Sequence, residues 1–420
     1  MGKTNRVEQQ VIRRTHPKYK IIDEMCFHAK NLYNAANYIL RQEFIANGHY
    51  IPYREMNRDL KHTLEYKNTM SQPANCVLRL LDKNWKSFFI GVKDYEKNPR
   101  KYLGKPKLPG YLKKDGRFLW MIPNNSCSLN GDGTIRFGVK RLQGYVWKTH
   151  AKGRLIQVRF VPRGTCYVME VVYEVEVPDS VSMEPECIAS IDFGVDNLVT
   201  MTNNIGEKPI VINGKGVKSI NQYYNKRLAK IQSELRKVNQ RGWSHQLEAL
   251  AFKRYQRIKN YMHHASRYVI NWCVVHNIDT LVVGINHGWK QSSAMSRDSN
   301  QKFVLIPHDM LLQQLRYKCQ DAGIQLIEVD EAYTSGTSFL DGEYPCQENY
   351  DKKRRIARGL FRTATGKLIN ADVNGSLQIM IKAFPNAFNE RYGIEAYLTP
   401  IAVNVTNVAC GAMNVLSTIE

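Results

Sequence analysis

Between Cys187 and Phe384 the chain strings together short apolar runs and long amphipathic ones in an order that few architectures accommodate. Cys187–Phe193, Leu198–Asn203 and Lys208–Ile212 predict three strands in succession. Two long helical stretches follow, Lys215–Val238 and Ser244–Val275. TLVVGI, Thr280–Ile285, is a buried strand by composition, Asp309–Ala322 a helix and Gln325–Val329 another strand. A polar, strongly basic excursion occupies Thr334–Lys367, and Ile369–Phe384 closes the unit as a helix.

Three strands, helix, strand, helix, strand, helix is the order of a ribonuclease-H-like α/β fold. The chain before it reads differently. Val7–Arg13 is a strand candidate, and Tyr19–Ala46 a helix, with Ile21, Met25, Leu32, Ala36 and Leu40 near helical spacing. Tyr53–Tyr66 and Gln72–Tyr95 predict two more helices. From Phe118 to Val177 short alternating runs, among them Ile135–Val139, Leu155–Val161 and Tyr167–Val175, predict a small barrel or sandwich. The expected fold is therefore bilobed: α/β plus a β-barrel and a helical bundle. Residues 1–15 and 118–185 would form the barrel and 16–117 the inserted helices. Residues 186–333 and 368–385 would form the α/β domain, 334–367 an insertion in it, and 386–420 a tail without an assignable motif.

Sixty Lys and Arg against 38 Asp and Glu leave a formal charge of +22, which points to a polyanionic partner, nucleic acid before membrane. Hydrophobic residues at 43% exclude a disordered chain. No run approaches the roughly 20 apolar residues of a membrane span. The polar start, Met1–Arg14, has no apolar signal core, so export is not expected and a cytoplasmic location is. Nine scattered cysteines without a C-x-x-C pair read as reduced thiols and argue against a cysteine-rich zinc site. The absence of a G-x-x-x-x-G-K loop gives no indication of ATP-driven chemistry.

Asp192, in SIDFGVDNLV, ends an apolar strand, and Asp372, in INADVNGSLQIM, opens a buried helix. Singly, the first is as well a turn former, and the second an ordinary acid favoured by the helix dipole. As a pair, each at the end of a core element of one α/β unit, they suit Mg²⁺ or Mn²⁺, hard cations that take oxygen ligands. Two such ions roughly 4 Å apart can stabilise the attacking and leaving oxygens of a phosphodiester.

IDFGVDNLVTMT, RIKNYMHHASRYVI, LVVGINHGWKQ, VDEAYTSGTSFLDGE and RRIARGLFRTATGKLINADVNGSLQIMIK, in that order, resemble the TnpB (OrfB) family of transposon-encoded RNA-guided DNA endonucleases, related to compact type V CRISPR effectors. The resemblance runs from about Val7 to Ala383 and is most specific in the carboxyl-terminal half. It implies a RuvC nuclease domain, a barrel of wedge type carrying the helical recognition domain, a guide RNA, and double-stranded target DNA bearing a short recognised motif. Asp192 matches the first RuvC acid and Asp372 the third. The family's middle Glu ends the TLVV strand, where this chain has Gly284. Either the nuclease is dead, leaving an RNA-guided DNA-binding repressor, or the acid has moved. Glu331, at the end of the neighbouring strand, can reach across one strand spacing of about 4.8 Å, with Asp330 the fallback. The implied catalytic and metal-binding set is Asp192, Glu331 and Asp372, holding two Mg²⁺ or Mn²⁺ ions.

Many relatives carry a four-cysteine zinc ribbon at Thr334–Lys367; here Cys346 stands alone without histidine, so no zinc is expected. Phosphate contacts are expected from Arg354, Arg355, Arg358 and Arg362 of this insertion and from Lys105, Lys107, Lys113 and Lys114 of the KPKLPGYLKK loop. Arg254 and Arg257 on the long basic helix, and Lys290 after the TLVV strand, are further candidates. Tyr33, Asn34, Asn37 and Tyr38 line successive turns of one helix, the tyrosines expected in the core.

Overall fold

The computed structural model describes residues 2–178, 185–238, 244–286, 306–388 and 394–405. The chain divides into two compact units, Lys3–Glu176 and the residues from Val177 onward together with Gly2.

The amino-terminal unit begins with β1 (Gly2–Ile12) and four helices, α1 (Tyr19–Asn47), α2 (Tyr53–Leu60), α3 (Leu64–Thr69) and α4 (Ser71–Lys97). The single helix expected over Tyr53–Tyr66 is two, because the Thr63 hydroxyl accepts from the Tyr66 backbone N–H and starts a new helix there. Trp85 anchors the bundle, fully buried, its indole N–H donating to Asn37 Oδ1 at 3.0 Å. Six strands follow: β2 (Trp120–Pro123), β3 (Cys127–Leu129), β4 (Thr134–Phe137), β5 (Trp147–Lys148), β6 (Arg154–Arg163) and β7 (Cys166–Val177). They do not close into the expected barrel among the described residues. Two open sheets form instead, ordered β1-β7-β6-β2 and β3-β4-β5. Trp120, Phe137, Trp147 and Phe160 fill the core that the two sheets share.

The second unit is built on one six-stranded sheet. Its strands are β8 (Ile188–Asp192), β9 (Asn197–Asn203), β10 (Ile210–Asn213), β11 (Thr280–Ile285), β12 (Gln325–Asp330) and, beyond a short hairpin of β13 (Leu360–Arg362) and β14 (Leu368–Asn370), β15 (Ile401–Val403). The order across the sheet is β12-β11-β8-β9-β10-β15. β8, β9 and β10 pair antiparallel, as consecutive strands joined by short turns can. β11 and β12 are parallel to β8, and each is reached through a helix, which parallel pairing requires. The helices are α5 (Lys215–Lys237), α6 (His245–Val275), α7 (His308–Ala322) and α8 (Ala371–Ala383). Strand alternation sorts the two faces of the sheet: Leu281 and Val283 join the core containing α6 and α7, whereas Val282 joins Ile379 and Met380 of α8. Among the described residues no helix is long and apolar enough to cross a membrane.

Candidate active site

The three acids come from the ends of β8, β12 and the start of α8, so the packing of α8 on the sheet decides whether they meet. A cluster of buried hydroxyls fixes that packing. Ser190 of β8 donates to the Ser376 carbonyl at 2.7 Å, Ser376 donates back to the Ser190 carbonyl at 2.9 Å, and Thr202 of β9 lies 2.8 and 2.9 Å from the two hydroxyls. Gly375, one residue before, leaves the room: a Cβ there would sit 2.8 Å from Asp192 Oδ2. Asn374 ties the same turn to the insertion, donating to the Thr337 carbonyl at 2.7 Å and accepting from Phe339 N–H at 3.0 Å. Asn370 caps α8 by accepting from the backbone N–H groups of Asp372 and Val373. Asn370, Asn374, Gly375 and Ser376 of the N-A-D-V-N-G-S motif thus each have a separate structural task.

Glu331 follows β12 directly, its N–H donating to the Ile285 carbonyl at 3.1 Å, and in the parallel register Gly284 pairs with Val329. A Cβ built on Gly284 would lie 3.5 Å from Glu331 Oε2, so the Glu331 carboxylate faces the space that a side chain at 284 would enter. The alternative acid, Asp330, is exposed. Glu328, on the same face of the strand as Asp330, pairs with Arg316 of α7 at 2.6 Å.

Burial, and after it repulsion from Glu331 and Asp372, pushes the Asp192 carboxyl well above the ordinary carboxylate range, with Arg355 pulling the other way. Burial also raises Glu331, Asp330 adds repulsion, and a hydrogen bond with Asn286 opposes the shift. Asp372 accepts from Asn197 Nδ2 at 2.8 Å on one oxygen and lies 3.4 Å from Arg355 Nη2 on the other. Among the described residues no three His, Cys, Asp or Glu side chains are arranged as a metal-holding group. Asn197 and Asn286 are contacts that sequence reasoning missed; an asparagine in a turn or after a strand carries no signal for such a role.

The expected nucleic-acid residues fall into two groups. Lys105, Lys107, Lys113 and Lys114 are all exposed, and the loop bearing them is pinned to α1 through its backbone. Asn37 donates to the carbonyls of Pro109 and Gly110, Arg41 to Pro109, Asn34 to Leu112 and Lys30 to Lys114, at 2.6 to 3.2 Å. Asn34 and Asn37 thus hold the loop, Tyr33 is buried as expected, and Tyr38 is exposed, outside the core. In the insertion, Arg354 donates to both Glu343 oxygens at 2.7 Å, and Arg358 meets Asp196, which Lys218 also contacts. Arg362 is exposed. On α6, Arg257 is exposed, whereas Arg254 is half-buried, donating to Asn221 of α5 at 2.7 Å and lying over the Tyr224 ring. Lys290 lies outside the described residues.

Residues 170–290 match a family model described as a probable transposase, OrfB_IS605, and residues 308–379 match the Cas12f1-like TNB domain. A TnpB-like protein, ORF457, of Acidianus two-tailed virus is 24% identical over 401 residues, covering 86% of this chain and 82% of its own length. The chain is similar to TnpB proteins over most of its length. The TNB match takes in α7, β12, the insertion and the first part of α8, and so includes Glu331 and Asp372. Among solved structures, a Cas12f1–sgRNA–target DNA complex is 15% identical with a TM-score of 0.35, covering 89% of this chain and 98% of the solved one. A CRISPR-Cas12f ternary complex is 13% identical with a TM-score of 0.38, covering 86% and 80%.

Proposed function

We propose that this protein is a TnpB-family RNA-guided DNA endonuclease whose second unit is a ribonuclease-H-like, RuvC-type nuclease domain. The observation that carries the reading is the Glu331 carboxylate facing the space before Gly284, in electrostatic contact with Asp192, which in turn feels Asp372. The donor set fits hard divalent cations: it is all oxygen, and two of its carboxyls are buried near like charges that a cation would compensate. Asp192, Glu331 and Asp372 would hold two Mg²⁺ or Mn²⁺ ions. Bound there, such ions activate water and stabilise the leaving oxygen of a phosphodiester.

The protein's own part is positioning. Gly375 and the Ser190–Thr202–Ser376 hydroxyls fix Asp192 against α8, and Asn197 and the Asn370 cap orient Asp372. Arg355, beside Asp372, offers a guanidinium to a substrate phosphate once the acid is otherwise neutralised. Guide RNA would supply the sequence specificity by base pairing to target DNA, with the protein holding backbone and reading a short duplex motif, as in RNA-guided recognition generally.

The deciding experiment is cleavage of a guide-matched duplex by the protein–RNA complex in Mg²⁺. Cutting by the parent and by Asp330→Asn, lost in Asp192→Ala and Glu331→Gln, is the expected result. A dead Asp330→Asn with an active Glu331→Gln would move the acid by one residue. Target binding without cutting by the parent would make the protein a guided DNA binder.

A further inference from the structure

The turn that delivers Glu331 also delivers an aromatic side chain to the surface. Tyr333 has a φ of +71°, a left-handed backbone that a bulky residue adopts only when its surroundings enforce it. Three residues do so. Thr334 donates from its N–H and its hydroxyl to the Glu331 carbonyl at 3.2 and 2.8 Å. Lys382 of α8 donates to the Ala332 carbonyl at 2.9 Å, and Thr337 to the Tyr333 carbonyl at 3.0 Å. So firmly held a turn would ordinarily place a glycine or asparagine at the strained position. Here it presents a phenol that is 40% exposed.

Tyr350 of the insertion meets it. The two rings lie 5.8 Å apart at 73°, and Tyr350 remains 37% exposed. Its ring approaches the Gly336 backbone so closely that a methyl there would fall 2.5 Å from it, and the next residue, Asp351, donates its N–H to the Gly336 carbonyl at 3.0 Å. Neither tyrosine hydroxyl makes a hydrogen bond among the described residues. The pair is therefore held, partly exposed and aromatic, with Tyr333 two residues from Glu331. Lys352 and Lys353, both exposed, follow Tyr350 after Asp351. Fixed aromatic faces beside free cations are the combination that single-stranded nucleic acid uses, bases on rings and phosphates on ammonium groups.

We propose that Tyr333 and Tyr350 form a base-stacking subsite that holds a nucleobase of the single DNA strand entering the acidic site. The proposal rests on the nuclease reading for the identity of the strand, but the stacking itself is tested without cleavage. The strand is held by its π-face, so the subsite accepts any base and contributes nothing to the salt dependence of binding.

The test uses the full chain and a single-stranded oligodeoxynucleotide carrying 2-aminopurine, whose fluorescence is quenched on stacking. The parent is expected to quench the probe. Tyr333→Ala and Tyr350→Ala are each expected to bind roughly ten-fold more weakly with an unchanged salt slope, whereas Tyr333→Phe and Tyr350→Phe bind like the parent. An oligonucleotide with abasic positions in place of the bases, titrated against the unmutated parent, loses the same affinity and guards against a variant that misfolds. Equal binding of the abasic and intact strands by the parent, or alanine variants that bind and quench normally, would overturn the subsite while leaving the nuclease intact. Loss of stacking in the variants of a protein that never cuts would uphold the subsite and overturn the nuclease.

Discussion

Two basic segments that look alike in sequence turn out to be built oppositely. In the loop bearing Lys105, Lys107, Lys113 and Lys114, α1 grips the main chain through Asn34, Asn37, Arg41 and Lys30, and the loop's own lysines are left in solvent. In the insertion, three arginines face carboxylates instead: Arg354 on Glu343, Arg355 beside Asp372, Arg358 on Asp196. A cationic run becomes available to phosphate only after the carboxylates folded against it are subtracted. Lysine on a backbone-anchored loop survives that subtraction, and arginine, with its planar fork, is the residue internal carboxylates capture.

The comparison breaks or sharpens in four measurements. Replacing Lys105, Lys107, Lys113 and Lys114 together by alanine is expected to weaken nucleic-acid binding about a hundred-fold at low salt and flatten the salt dependence by roughly three in slope, with an unchanged thermal midpoint. A lowered midpoint with unaltered affinity would reverse the roles assigned to the two segments. Arg354→Ala is expected to do the opposite, lowering unfolding free energy by about 2 kcal/mol, since it leaves Glu343 half-buried without its partner. A double-mutant cycle with Glu343→Gln checks that the loss belongs to the pair.

A smaller effect concerns α6, the third basic region. Burial, with Lys318, Lys259, Arg267 and His264 nearby, holds His263 down to about 4. Its folded pKa lies below its unfolded one, so the unfolded chain binds the extra proton and stability falls as pH drops from about 6.5 to 4. Discounted for partial exposure, the loss is about 1 kcal/mol. Denaturant unfolding at pH 7 and 4 should show that increment in the parent and not in His263→Gln. The smallest change is Arg358→Ala. Arg358 is mostly exposed, and Asp196 keeps Lys218, so less than about 0.5 kcal/mol should follow in the same unfolding measurement.

Much of the second unit was legible because its signals are local. Thr280–Ile285 is the observed strand, and the parallel pairing with Gln325–Asp330 put Glu331 within reach of Gly284 as strand geometry required. The amino-terminal β region was less so: whether Trp120–Pro123 and the short strands after it close a barrel depends on edge pairing far apart in sequence, which alternation does not encode. β15 escaped because three residues, Ile401–Val403, carry no periodicity. The carboxylate partners of the insertion's arginines were not legible for the same reason. Nothing near Arg354 or Arg358 in sequence announces that Glu343 and Asp196 fold against them.

The space before Gly284 also bears on how such a site can change. A side chain restored at 284 would bring its Cβ within 2.4 Å of Ile379 Cδ1, in a fully buried core, and would enter the volume that Glu331 faces. An acid at 284 and an acid at 331 therefore compete for one volume, and reverting the glycine alone would add a collision before it added a ligand. Accommodating an acid at 284 would therefore require the end of the Ile379 side chain to shift and the Glu331 carboxylate to give up the volume it faces.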